Sequence, residues 1–203
     1  EVEMDQMVTD FDALKEKYGI TDENVLEMSD VSGTISSEMQ RTAVLAVFAA
    51  CIVMLIYISI RFKDFRAGAS SILALVHDVA VMLAFYAILR IPVNTSFIAA
   101  LLTVLGYSIN STIVIFDRIR ENKKDYRKNE IETVINKSVN QTLARSINTS
   151  LTTLFTIGAI YILGVDSIKE FALPLIVGII SGAHSSVFLS GSIWYMLLPK
   201  TSK

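Results

Sequence analysis

One cysteine, Cys51, is the whole of the chain's thiol chemistry. A single thiol forms no intramolecular disulfide and no CxxC metal site. It lies inside a long apolar run, where cysteine packs as a small hydrophobe. Histidine is nearly as scarce, and no pair of His, Cys or carboxylates has metal-ligand spacing. No Ser-His-Asp constellation, phosphate-binding glycine loop or haem motif is present. The sequence therefore makes no case for an enzyme or for a cofactor. Its basic residues lack interleaved aromatics, which excludes a credible nucleic-acid site. The first residues are acidic, so no cleavable signal peptide opens the chain. Residue 1 is Glu, which points to a fragment or a processed product.

What the chain has in excess is apolar length. Hydrophobic residues make up 52% of 203, and mean hydropathy is +0.51. That exceeds what a soluble domain of this size needs for its core. Five segments, about 42–60, 68–90, 94–116, 143–163 and 171–198, reach the roughly 20 residues that cross a bilayer. The expected fold is an all-α polytopic membrane bundle of five transmembrane helices in residues 41–199, with a connector at 117–142. Residues 1–40 read as the C-terminal part of an external domain, a small α/β remnant. Phe11, Leu14 and Tyr18 recur at helical spacing there, and Val25, Leu26 and Met28 suggest a short strand.

Charge sets an orientation. Residues 1–40 carry eleven acids and two lysines, whereas 117–145 carry eight Lys/Arg and five acids. The stretch 61–66, the connector and the C-terminus with Lys200 and Lys203 are basic and fall on one side if the spans alternate. That side is expected to be cytoplasmic, with residues 1–40 external. Delivery of an external N-terminus requires an earlier span. Ile91-Pro92-Val93-Asn94 and Gly164 are the expected breaks between spans. Residues 118–140 read as a charged, partly amphipathic helix, either near anionic headgroups or as a docking surface.

The polar residues inside the spans are the candidate site. Asp78 sits mid-span beside His77. The pair reads as a proton relay or as a helix–helix hydrogen bond; neighbours offset by about 100° are not expected to face one partner. Gly106, Asn110 and Asp117 share a face of the third span, where Gly permits close approach and Asn bonds across an interface. Arg145, Asn148 and Thr149 share a face of the fourth. Arg145 either snorkels to headgroups or meets Asn110 and Ser111 in the bundle. The Ser/Thr hydroxyls near it either join that meeting or bond their own helix backbone. Gly178, Gly182, Ser185 and Ser186 form a small-residue packing stripe, and His184 reads as a packed polar residue.

The run from Gly106 through Ser111-Thr112 to Asp117-Arg118-Ile119-Arg120-Glu121-Asn122 resembles the signature of the SecF family of bacterial protein-export subunits. Ala74-Leu75-Val76-His77-Asp78-Val79 is similar to its Leu-His-Asp segment, and Arg145 to Leu154 to its Arg-x-x-Asn-Thr-Ser-Leu-Thr-Thr-Leu segment. The resemblance covers about residues 31–198. It implies six transmembrane helices, of which these would be the second to sixth, with an external domain after the first. It further implies pairing with SecD, association with the SecYEG translocon and preprotein substrates, and use of the proton or sodium gradient. Asp78, Asn110, Ser111, Arg145 and Thr149 become the candidate ion pathway, with His77, Gly106 and Asn148 as packing or relay residues. One position departs from the pattern: Ser111 stands where the family usually has Asp, and serine does not ionise. Proton coupling through this helix is therefore in question. A small-molecule exporter of the same superfamily and a non-coupled structural subunit are the alternatives.

Overall fold

The computed structural model describes Phe11, Leu14, Lys15, Lys17 and Tyr18, together with residues 33–126 and 130–199. Two compact units divide the chain, Glu1–Thr42 and Ala43–Lys203. In the first, Phe11, Leu14, Lys15, Lys17 and Tyr18 are helical, in keeping with their spacing. The strand expected at 24–30 lies outside the described residues.

The second unit is all helix among the described residues. In chain order come α1 (Gly33–Phe62), which begins in the first unit, α2 (Phe65–Leu89), α3 (Thr95–Asn122) and α4 (Ile131–Leu163). The last rod consists of α5 (Asp166–His184), a π-helical segment (Ser185–Ser190) and α6 (Gly191–Leu197). Among the described residues, five helical stretches are long and apolar enough to cross a membrane, in keeping with the five apolar runs.

Their ends follow local chemistry. Asp64 caps α2 by accepting from the Arg66 N–H at 3.0 Å. Asn94 caps α3 by accepting from Phe97 N–H at 2.9 Å. Both supply an oxygen to an otherwise unpaired first-turn donor. Gly164 ends α4 with its N–H on the Ile160 carbonyl at 2.8 Å. Its φ of −78° is ordinary, so left-handed backbone is not the reason for glycine. Any Cβ there would strike the Ile160 carbonyl oxygen.

Two segments differ from expectation. The basic stretch 61–66 contracts to a tight turn at Lys63–Asp64, with Lys63 in left-handed backbone (φ 53°). The connector is not one helix over 118–140. Instead α3 runs on to Asn122, a 3-10 turn covers Lys123–Asp125, and α4 starts at Ile131. No glycine or proline lies between Gly106 and Gly158, so nothing stops either helix where the apolar run ends. Asn122 then ties them together, donating to Ser138 Oγ at 2.8 Å and Gln141 Oε1 at 2.9 Å.

The last rod is the inner element and α1 the outer one. Half of the most apolar window of the last rod is buried, against 6% for α1. Around the rod pack α2, α3 and α4, with Leu75, Met82, Val104, Leu105 and Ile115 as fully buried side chains. Glycine makes the closest approach possible: a Cβ on Gly178 would collide with the Val104 side chain and meet Met82 Sδ at 2.9 Å. Tyr86 and Phe97 stack at 4.5 Å near one end; Phe116 meets Trp194 edge-on at 5.9 Å near the other.

Candidate functional site

Two polar centres lie within the spans. The first surrounds Asp78 on α2, which is 0% exposed. Its Oδ2 accepts from Ser108 Oγ (2.7 Å, α3) and Ser185 Oγ (2.8 Å, the π segment). Its Oδ1 accepts from Ser181 Oγ (2.8 Å, α5) and lies 3.2 Å from His77 Nδ1. Three hydroxyls, and His77 Nδ1 where that nitrogen carries the proton, thus meet the lone-pair sites of one carboxylate. His77 and Asp78, offset by about 100° on one helix, meet each other: the imidazole Nδ1 lies against the adjacent carboxylate itself. His77 is part-exposed and its ring lies 6.1 Å from that of His184, so it reaches outward from the buried acid.

A hydroxyl chain continues from this centre. Thr112 Oγ1 lies 3.1 Å from Ser186 Oγ, Ser186 donates to the Ser108 carbonyl at 3.2 Å, and Ser190 donates to the Ser186 carbonyl at 2.6 Å. All are buried. No sequence pattern assigns Ser108, Thr112, Ser181 or Ser190 to a site, and Ser185 and Ser186 stand in a small-residue packing stripe. A signal was available: a mid-span Asp needs donors, and Ser181/Ser185 and Ser108/Thr112 each stand at i, i+4.

The second centre is a cavity of about 310 Å³ lined by Asn110, Ser111, Val114, Arg145, Ser146 and Thr149. Here α3 and α4 bring together four of the predicted residues, Asn110, Ser111, Arg145 and Thr149. Asp78 is not among them; it belongs to the other centre. Thr149 donates to the Arg145 carbonyl at 2.8 Å and Thr152 to those of Asn148 and Thr149, so these hydroxyls bond their own helix. Gly106 and Asn148 lie outside the cavity but on the same uncovered surface. Both are exposed, and a Cβ on Gly106 would meet nothing within 4 Å. Asp117 parts from Gly106 and Asn110 and pairs with Arg61 at 3.0 Å at the basic end.

The fold is a polytopic helical bundle, and a buried carboxylate and a separate arginine cavity within its spans are ionisable groups of the kind that mark functional sites in membrane proteins. The family model for the protein export membrane protein SecD/SecF, C-terminal, matches residues 11–200. The protein translocase subunit SecF of Petrotoga mobilis is 42% identical over 191 residues, covering 94% of this chain and 63% of its own length. The protein translocase subunit SecDF of Bacillus subtilis is 41% identical over 183 residues, covering 89% of this chain and 24% of its own length. The crystal structure of Thermus thermophilus SecDF, described as a translocon-associated membrane protein, matches with a TM-score of 0.76 at 43% identity. It covers 82% of this chain and 23% of that one. The chain belongs to the SecD/SecF family of protein-export membrane proteins, and it spans less than two thirds of the SecF relative named above.

Proposed function

We propose that the chain is the membrane part of a SecF-type subunit that works beside a SecD-type partner and the SecYEG translocon. Its role is to assist preprotein export across the bacterial cytoplasmic membrane at the expense of an ion gradient, without covalent chemistry on the substrate. One observation carries this reading: a polar face inside the spans that the chain leaves uncovered. Thr103, Gly106 and Asn110 on α3, and Arg145, Asn148, Thr149, Thr152 and Thr156 on α4, are all exposed. Among the described residues, the side chains of Asn110, Asn148 and Arg145 have no hydrogen-bond partner. Lipid offers none, and a charge at bilayer depth costs about 2.5–3.5 kcal/mol. A second helical half supplies both partners and close packing against Gly106. The relatives named SecDF hold the matched segment as about a quarter of a longer chain.

In this reading the basic end, with Arg61, Arg66, Arg118 and Arg120, faces the cytoplasm, and residues 1–40 are external. Asp78 carries the coupling proton. It is the one fully buried carboxylate among the described residues, whereas Ser111 lines the Arg145 cavity without an ionisable group. That same serine favours a second reading, a subunit that stabilises its partner and leaves ion coupling to it.

Reconstitution with the SecD-type partner and the translocon tests both. Asp78→Asn is expected to remove the gradient-dependent part of export, and Ser111→Asp to increase it. If Asp78→Asn leaves that part intact while Arg145→Ala also has no effect, the second reading holds. Failure of the chain to co-purify with the partner overturns both.

A further inference from the structure

At the basic end of the bundle, residues of α1, α2, α3 and α6 line an open cavity of about 340 Å³. Phe62, Phe116, Ile119 and Leu198 give it apolar walls, and Trp194 closes one side. Lys63, Arg66, Arg120 and Lys123 line it as well. Asp64 is the one acid lining it, and it is engaged: Oδ1 takes the Arg66 N–H and Oδ2 takes Trp194 Nε1–H, each at 3.0 Å. The four cations form no ion pair among the described residues. Arg120 spends one donor on the Arg61 carbonyl at 3.3 Å, and the Lys123 ammonium lies 5.5 Å above the Trp194 ring. The N-terminus of α2, a 25-residue helix, opens here and adds its partial positive charge.

We propose that this cavity binds the headgroup phosphate of an anionic phospholipid. The geometry asks for two properties in one ligand. Four cations against one engaged acid require an anion. Aromatic and aliphatic walls below them, at the level where the apolar runs of α1 and α3 end, require an attached hydrocarbon. A phosphodiester lipid carries both, with its charge among the lysines and arginines and its acyl chains along Phe62 and Leu198. Free inorganic phosphate satisfies only the first. This inference is independent of the export reading, because none of the residues that line this cavity lines the Arg145 cavity or belongs to the uncovered polar face.

Trp194 is the chain's one tryptophan, so its fluorescence reports this cavity alone. The purified 203-residue chain is placed in phosphatidylcholine vesicles containing a minor fraction of brominated phosphatidylglycerol, or the same fraction of brominated phosphatidylcholine. Preferential quenching by the anionic lipid is expected, with the preference falling about fivefold for each cation removed in Lys63→Gln, Arg66→Gln or Lys123→Gln. Arg118→Gln, which removes the same charge outside the cavity, is expected to retain the preference. Equal quenching by the two lipids overturns the proposal, as does a preference that survives the triple variant. Loss of the preference in Arg118→Gln reduces it to general surface charge and also overturns it. Abolition of the preference by inorganic phosphate at constant ionic strength shows a site for the free ion, against a lipid site. A variant that loses helical circular dichroism is replaced by its lysine–arginine exchange, for which the preference is expected to persist.

Discussion

The hydroxyl of Ser185 has one proton and two acceptors: Oδ2 of Asp78 at 2.8 Å and the carbonyl of Gly182 at 3.3 Å. When Asp78 is ionised, the proton belongs on the carboxylate. A proton on Oδ2, which the proposed coupling role requires, is expected to turn the Ser185 hydroxyl to the Gly182 carbonyl and leave its oxygen to accept.

An amide at position 78 imitates the protonated acid. Asp78→Asn is therefore expected to fold, with its N–H on Ser185 Oγ, while Asp78→Ala strands Ser108 and Ser181 and leaves Ser185 the Gly182 carbonyl alone. Each stranded hydroxyl that finds no carbonyl on its own helix costs about 1–3 kcal/mol. In a double-mutant cycle by thermal unfolding in detergent, Ser185→Ala should raise the cost of Asp78→Asn by about 0.5–3 kcal/mol. Strict additivity of the two substitutions would show that Ser185 does not accommodate the protonated state.

Gly178 and Gly106 are both mid-span glycines with opposite surroundings. At Gly178 an added methyl meets Val104 and Met82 in the packed interior, so Gly178→Ala is expected to destabilise by about 1–3 kcal/mol. At Gly106 it meets open space, and Gly106→Ala in the isolated chain is expected to be neutral or stabilising by up to about 1 kcal/mol. Assembly reverses the order of concern: only the bulkier Gly106→Leu should weaken co-purification with a SecD-type partner. Unfolding midpoints and pull-down yields check the two halves separately.

At the basic end, Trp194→Phe should cost more than Arg61→Gln. The indole N–H bonds the Asp64 carboxylate from a side chain only 4% exposed, and its loss is expected to cost about 1–3 kcal/mol. Arg61 and Asp117 form an ion pair more than a third exposed on both sides, for which about 0–1 kcal/mol is the ordinary range. Comparable losses in the two variants, measured by unfolding, would contradict this ranking.

The five spans were legible because apolar length alone defines them, and the turn at Pro92 because proline and the Asn94 cap mark it. The joining of Asn110 and Ser111 to Arg145 and Thr149 followed from alternation of the spans, which sets depth. The partners of Asp78 did not follow, since depth leaves rotation about each helix axis open. Three serines from two other rods reach that carboxylate, and serine at a small-residue position looks the same whether it packs or donates. The continuity of α4 from Ile131 to Leu163 is not legible for a different reason: a charged helix and an apolar span read as separate elements, because hydropathy marks where lipid ends, not where a helix does.

The π-helical segment Ser185–Ser190 has a consequence for the register of the chain. A π turn bonds five residues back instead of four, so it holds one more residue than the α turn it replaces. Removing a single residue from this stretch would restore a regular helix and rotate everything after it by about 100°. Trp194 would then swing off Asp64 while Ser181 stayed on Asp78. The extra residue is what lets one rod address a buried acid at mid-span and a boundary tryptophan at its end, two targets that a uniform α-helix of this sequence would meet with different faces.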